Sequence, residues 1–236
     1  ILPQAIPQKT LNSANRILLA LTFLFASGPI SARTPDPERG KKVFYASGGC
    51  GCHTDVQNDG PFMGGGRGIK TPFGIFFGSN ITPHPEEGIG HWNDKDFIRA
   101  MTLGIAPDGR HYFPVFPYTS FRLMNKEDLL HLKDYLFSLP TSSRVNTEHD
   151  VPFPFNWRPP LFFWKMIFLE KGPYKPDPSR SNSWNRGAYL SNALAHCGEC
   201  HTPRNLLGGL NPSMHYAGSE EGPEGELAPN ITPDLE

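Results

Sequence analysis

The only four cysteines of the chain stand in two close pairs, each followed at once by a histidine: Cys50-Gly51-Cys52-His53 and Cys197-Gly198-Glu199-Cys200-His201. The second is C-x-x-C-H, the attachment signature of c-type haem. Two thiols three residues apart on a helical turn point the same way, so both can reach the vinyl groups on one porphyrin edge. The next residue, His201, then brings an imidazole nitrogen to the iron. The alternatives are a zinc knuckle, which wants further Cys or His ligands at matching spacing, and a redox pair, which has no need of the histidine. A disulfide framework would scatter its cysteines more widely.

The first site is one residue short. Aligned from the Arg-Gly pairs described below, the missing residue falls between Cys50 and Cys52. Side chains two apart on a helix point to opposed sides, so three readings stay open. The turn distorts and still binds haem; or Cys52 alone makes a thioether, with Gly49 where the first Cys should be; or a residue has been lost from the record or the gene. Haem is expected at both sites, with His53 and His201 as iron ligands. For the sixth ligand, Met raises the potential relative to His. Met124 is favoured over Met63 and Met101, because it precedes a helix that closes the first half of the chain. Its alternative is an ordinary core Met. A bis-His pair would use His111 or His84. For the second haem the ligand is expected beyond residue 236. Gly64-Gly65-Gly66 lacks the Lys-Ser/Thr of a phosphate loop; it is expected near the haem edge, with Arg67 pairing a propionate.

The elements that must position these residues repeat along the chain. Arg39-Gly40 precedes Cys50 by 11 and 10 residues, and Arg186-Gly187 precedes Cys197 by the same spacings. His53-Thr54 recurs as His201-Thr202, and Asn80-Ile81-Thr82-Pro83 as Asn230-Ile231-Thr232-Pro233. After the first copy, Asn93-Asp94 predicts a capped helix over 95–103 with Gly104 as its stop. Asn125 predicts a stronger one over 126–138, its leucines 129, 132, 136 and 139 on one face. Ser183 predicts a helix over 184–195 leading into the second motif. The second copy stops before its closing helix, so the chain reads as one full module and the first half of another. Residues 141–181, rich in Pro and aromatics, form a linker. Within it, 161–169 predicts a short apolar helix that either packs across both modules or docks a partner or membrane.

With 24 Gly and 25 Pro among 236 residues, many loops surround few helices. An aromatic content of 12% excludes a disordered chain, and a net charge of −1 argues against a nucleic-acid partner. Arg16, the apolar run 17–26 and the small residues up to Ala32 form a secretory signal, with cleavage expected after Ala32. The run is too short for a bilayer core of about 30 Å. Export fits haem c, which is attached outside the cytoplasm. The fold expected is all-α: tandem cytochrome c-type modules with long Gly/Pro-rich loops, at 33–140 and, truncated, at 182–236.

From about Asp36 onward the chain resembles the multihaem cytochrome c subunit of membrane-bound dehydrogenases of the alcohol, gluconate and sorbitol type. The resemblance is carried by Lys70-Thr71-Pro72-Phe73-Gly74, by the Asn-Ile-Thr-Pro segments and by Gly88-Ile89-Gly90-His91-Trp92. Pro107-Asp108-Gly109-Arg110-His111-Tyr112, Phe116-Pro117-Tyr118-Thr119-Ser120 and Pro152-Phe153-Pro154-Phe155-Asn156-Trp157 extend it. It implies a partner catalytic subunit with a flavin or quinone cofactor, and electron relay to ubiquinone or a terminal oxidase from the periplasmic face of the bacterial inner membrane. It also implies a third haem in a full-length relative. Some relatives have Met where this chain has Phe116, which again points to Met124. The competing readings are a free-standing dihaem enzyme of peroxidase or thiosulfate-oxidising type, and a nonfunctional fragment.

Overall fold

Helix α1 (Pro37–Ala46) starts where Asp36 accepts the Arg39 amide at 2.9 Å, with Pro37 in the first turn, where its missing N–H costs nothing. In this computed structural model the described residues are 33–220 and 225–233; the expected signal at 1–32 lies outside them. α1 lays Val43 and Phe44 on helix α4 (Lys126–Phe137). α4 starts at Asn125, whose side chain accepts the Asp128 amide at 2.7 Å. Its expected apolar face is real: Leu129, Leu132 and Leu136 are buried and Leu139 packs beside them. Each such burial stabilises by about 1.5–3 kcal/mol.

Helix α2 (Asp94–Leu103) has a capping box between Asn93 and Asp96 and ends at Gly104, in the left-handed region at φ 59°. It delivers Phe97 and Met101 to the same core. A single turn, α3 (Tyr118–Phe121), leads to Met124, which is 2% exposed among these side chains, as is Met63 at 1%.

The described chain is mostly helical, with one strand pair that the all-helical expectation omitted. β1 (Gly68–Thr71) runs antiparallel to β2 (Gly74–Phe77), Gly68 opposite Phe77. The Thr71 hydroxyl closes the turn: it donates to the Gly74 carbonyl at 2.9 Å and accepts the Phe73 amide at 3.1 Å. A four-residue strand is too short to announce itself by alternation.

Residues 141–158 form a strap. Buried Asn80 donates to the carbonyls of Ser142 and Arg144, Asn146 accepts the Asn80 amide, and Arg144 pairs with Asp55 at 3.0 Å. Helix α5 (Pro160–Phe168) follows. Its inner side is held by Lys165 on the Gly104 carbonyl and by Trp164 on the Leu207 carbonyl. Its outer side leaves Phe162, Phe163, Met166 and Ile167 more than half exposed. Among the described residues no helix is long and apolar enough to cross a membrane.

Helix α6 (Asn182–Tyr189) corrects the expected start: the cap is Ser181, not Ser183, because Ser181 accepts the Trp184 amide at 3.2 Å. Residues Leu190–Leu194 then widen into a π-wound turn. The Tyr189 hydroxyl donates to Asp128 at 2.7 Å, which joins α6 to the cap of α4.

Candidate functional site

The second cysteine pair brackets a single turn, α7 (Gly198–His201), with Cys197 at its N-cap position and Cys200 within it. The Cys197 carbonyl accepts the amides of Cys200 and His201 at 3.3 and 3.0 Å. Both thiols therefore sit one turn apart, with the imidazole next to them. His201 Nδ1 is 2.8 Å from the Pro229 carbonyl. A carbonyl only accepts, so the proton resides on Nδ1 and the Nε2 lone pair is left for an iron.

The first motif repeats this arrangement. His53 Nδ1 is 2.7 Å from the Ser79 carbonyl, one residue before Asn80 just as Pro229 is one before Asn230. The supporting bonds repeat as well. Thr54 and Thr202 accept the amides of Met63 and Tyr216, both with positive φ, at 3.0 and 3.1 Å. The carbonyls of His53 and His201 accept Gly65 and Gly218 amides, and Ile81 and Ile231 amides reach the carbonyls of Met63 and Tyr216. Gly65, at φ 80°, explains the glycine-rich loop: a side chain there would strike the Ser79–Asn80 backbone that receives the histidine. Burial lowers the His53 pKa, favouring the neutral, ligating imidazole.

The cysteines of the first motif differ. Residues Gly48–His53 form a tight 3-10 turn in which Gly48, Gly49 and Cys50 all take positive φ. Burial, then the neighbouring Cys52, pushes the Cys50 thiol up to about 12, whereas Cys52 is exposed. Cys52 and Cys200 line one cavity of about 390 Å³, together with Arg67, Ile69, His201 and Pro229. The two motifs, far apart in sequence, thus open onto a common space, and Arg67 stands in its wall.

The donor set suits haem c: two thiols on one turn, an imidazole beside them whose Nδ1 is held by a carbonyl, and a cavity at Cys200 and His201. The four cysteines form no disulfide. Among the described residues no cluster of three or more His, Cys, Asp or Glu is placed to hold a metal ion. His84 Nδ1 accepts the amides of Glu86 and Glu87, and His111 lies beside Phe162. Sequence reasoning missed the carbonyls of Ser79 and Pro229; the signal was there in the repeated Asn-Ile-Thr-Pro that follows them. It also missed Glu199, held by Thr119, Ser120 and Arg204.

No family model matches the chain. The chain is similar to a dihaem c-type cytochrome of Cereibacter sphaeroides, 40% identical over 209 residues that cover 85% of the chain and 68% of that protein. The chain belongs to the multihaem c-type cytochrome family. Haem c is thereby implied as its cofactor. The family extends to dehydrogenase subunits. The cytochrome is 49% identical over 76% of its length to a nicotinate dehydrogenase subunit of Pseudomonas putida, covering 15% of that protein. It is 38% identical over 86% of its length to the fructose dehydrogenase cytochrome subunit of Gluconobacter japonicus, covering 42% of it. The chain therefore spans less than half the length of these two relatives.

Proposed function

We propose that this cytochrome is an electron-transfer subunit that takes electrons from the catalytic subunit of a sugar or alcohol dehydrogenase, with a flavin or quinone cofactor, and delivers them to ubiquinone or the respiratory chain. The observation that carries the reading is the doubled histidine geometry, His53 on Ser79 and His201 on Pro229, with Cys52 and Cys200 on one cavity. Two tandem modules, 33–140 and 182–236, hold one haem each. Cys50 and Cys52, and Cys197 and Cys200, would hold the haems through thioethers, with His53 and His201 as iron ligands and Met124 as a further ligand to the first iron.

Haem c supplies an iron that accepts and releases one electron. The residues do the rest. The backbone carbonyls of Ser79 and Pro229 orient the two imidazoles, and burial favours the neutral form of His53. Cys52 and Cys200, which line one cavity, would hold the porphyrins by their thioether bonds. Arg67, in the wall of that space, compensates negative charge on a propionate. Residues 1–32 act as an export signal, placing the mature protein at the periplasmic side of the inner membrane. The exposed aromatic side of α5, with Phe153 and Trp157 also exposed, is where it meets the partner subunit or membrane surface.

The test is to co-express the full-length cytochrome, matured in a periplasm, with its dehydrogenase partner. Substrate addition reduces the haem absorbance bands in the complex. A spectrum unchanged by substrate, while dithionite reduces it, contradicts the relay.

A further inference from the structure

Haem attachment at C-x-x-C-H uses the two thiols and the histidine; the chemistry makes no demand on the residue before the second cysteine. In this chain that residue is Glu199, and its carboxylate is buried, with 8% of the side chain exposed. Burying a carboxylate is costly unless it is paired and hydrogen-bonded. Here every oxygen is engaged. Oε1 accepts the hydroxyls of Thr119 at 2.7 Å and Ser120 at 2.9 Å, and Oε2 accepts Arg204 at 2.6 Å. Arg204 is itself steered by the Gly208 carbonyl at 2.9 Å.

Two consequences follow from this placement. Thr119 and Ser120 belong to α3, the turn that leads to Met124, so the carboxylate ties the second attachment turn to that segment. The negative charge also lies between Cys197 and Cys200 in sequence, within one helical turn of both expected thioether bonds. Reducing a haem iron removes one unit of positive charge from it, so a nearby buried anion favours the oxidised form. Arg204 opposes this, but its side chain is 36% exposed and its field is screened more by water than that of the buried carboxylate.

We propose that Glu199 is a positioning residue that sets the reduction potential of the second haem, holding it down through a buried, ion-paired carboxylate clamped to α3. The proposal rests on haem attachment at Cys197 and Cys200. The test is a spectroscopic redox titration of the exported, haem-loaded full chain. Glu199→Gln can still accept from Thr119 and Ser120 but has no charge; one wave of the titration is expected to move to higher potential. Arg204→Gln leaves the carboxylate without its counter-charge, and the same wave is expected to move to lower potential. A purely structural role moves both variants the same way or neither, and either result overturns the proposal. If Glu199→Gln fails to load haem, Arg204→Gln decides alone: a fall supports the proposal, and no change or a rise overturns it. Wild-type protein that emerges colourless, with Cys197 and Cys200 free, fails the haem reading and this proposal with it; coloured protein with unmoved potentials fails only the latter.

Discussion

Gly40 of α1 lies directly against the backbone carbonyl of His131 on α4: a β-carbon at Gly40 would overlap that oxygen and crowd the Tyr135 β-carbon. The His131 carbonyl and the Tyr135 β-carbon are fixed by the backbone of α4, so a methyl group cannot be absorbed by a side-chain shift. Gly40→Ala is therefore expected to lever the two helices apart and to destabilise the protein by about 1–3 kcal/mol, the usual cost of overpacking. Urea denaturation of the haem-loaded protein checks this. At Gly187, its counterpart in the second copy, an added β-carbon meets nothing within 4 Å among the described residues outside its own helix. Gly187→Ala is expected to raise the midpoint, by the gain of about 0.5–1 kcal/mol that alanine has over glycine inside a helix.

The shortened first motif carries its own prediction. Cys50 is half-buried, with desolvation pushing its thiol up to about 12, while Cys52 is exposed and lines the cavity. Cys52→Ser is expected to cost more first-site haem than Cys50→Ser, measured as haem per chain in purified protein. Inserting one residue between Gly51 and Cys52 restores C-x-x-C-H and is expected to raise occupancy at that site. Equal losses from the two serine variants, with no gain from the insertion, contradict this account of the turn.

The local geometry of the second motif was legible in the sequence because it depends on spacing alone. Cys197, Cys200 and His201 fall on one turn as their spacing requires, and Asn93 and Asn125 cap the helices they were expected to cap. The carbonyl partners of the histidines were not legible, since any residue type offers a carbonyl and only the fold selects Ser79 and Pro229. The clamp on Glu199 was hidden for a similar reason: Thr119 and Ser120 lie about 80 residues away, and their hydroxyls have no periodic signature. The start of α6 was misread by two residues because Ser181 and Ser183 are equally good caps in composition, and only Ser181 stands three residues before the amide it accepts.

Lys165 gives the fold a pH dependence. Its ammonium donates to the Gly104 carbonyl at 2.7 Å and lies 4.7 Å from the centre of the Tyr118 ring. Desolvation lowers its pKa from 10.5 to about 8. Between those two values the unfolded chain holds a proton that the folded one has released, so stability contributed by this group rises with pH across that window. Below it both states are protonated and the contribution is flat. Subtracting the urea midpoints of Lys165→Met from those of wild type isolates the effect: the difference is expected to change in favour of wild type from pH 8 to 10.5. A difference that is constant with pH contradicts it.

The haem content of the exported protein tests the central claim most directly. Intact-mass and pyridine haemochrome analysis of chains matured in a periplasm are expected to give two covalent haems, with thioethers mapped to Cys197 and Cys200 and to the first motif. His201→Ala is expected to lose the second haem or its low-spin spectrum, about half the wild-type signal if the two haems absorb alike. Colourless wild-type protein, carrying free thiols at Cys197 and Cys200, would contradict the account.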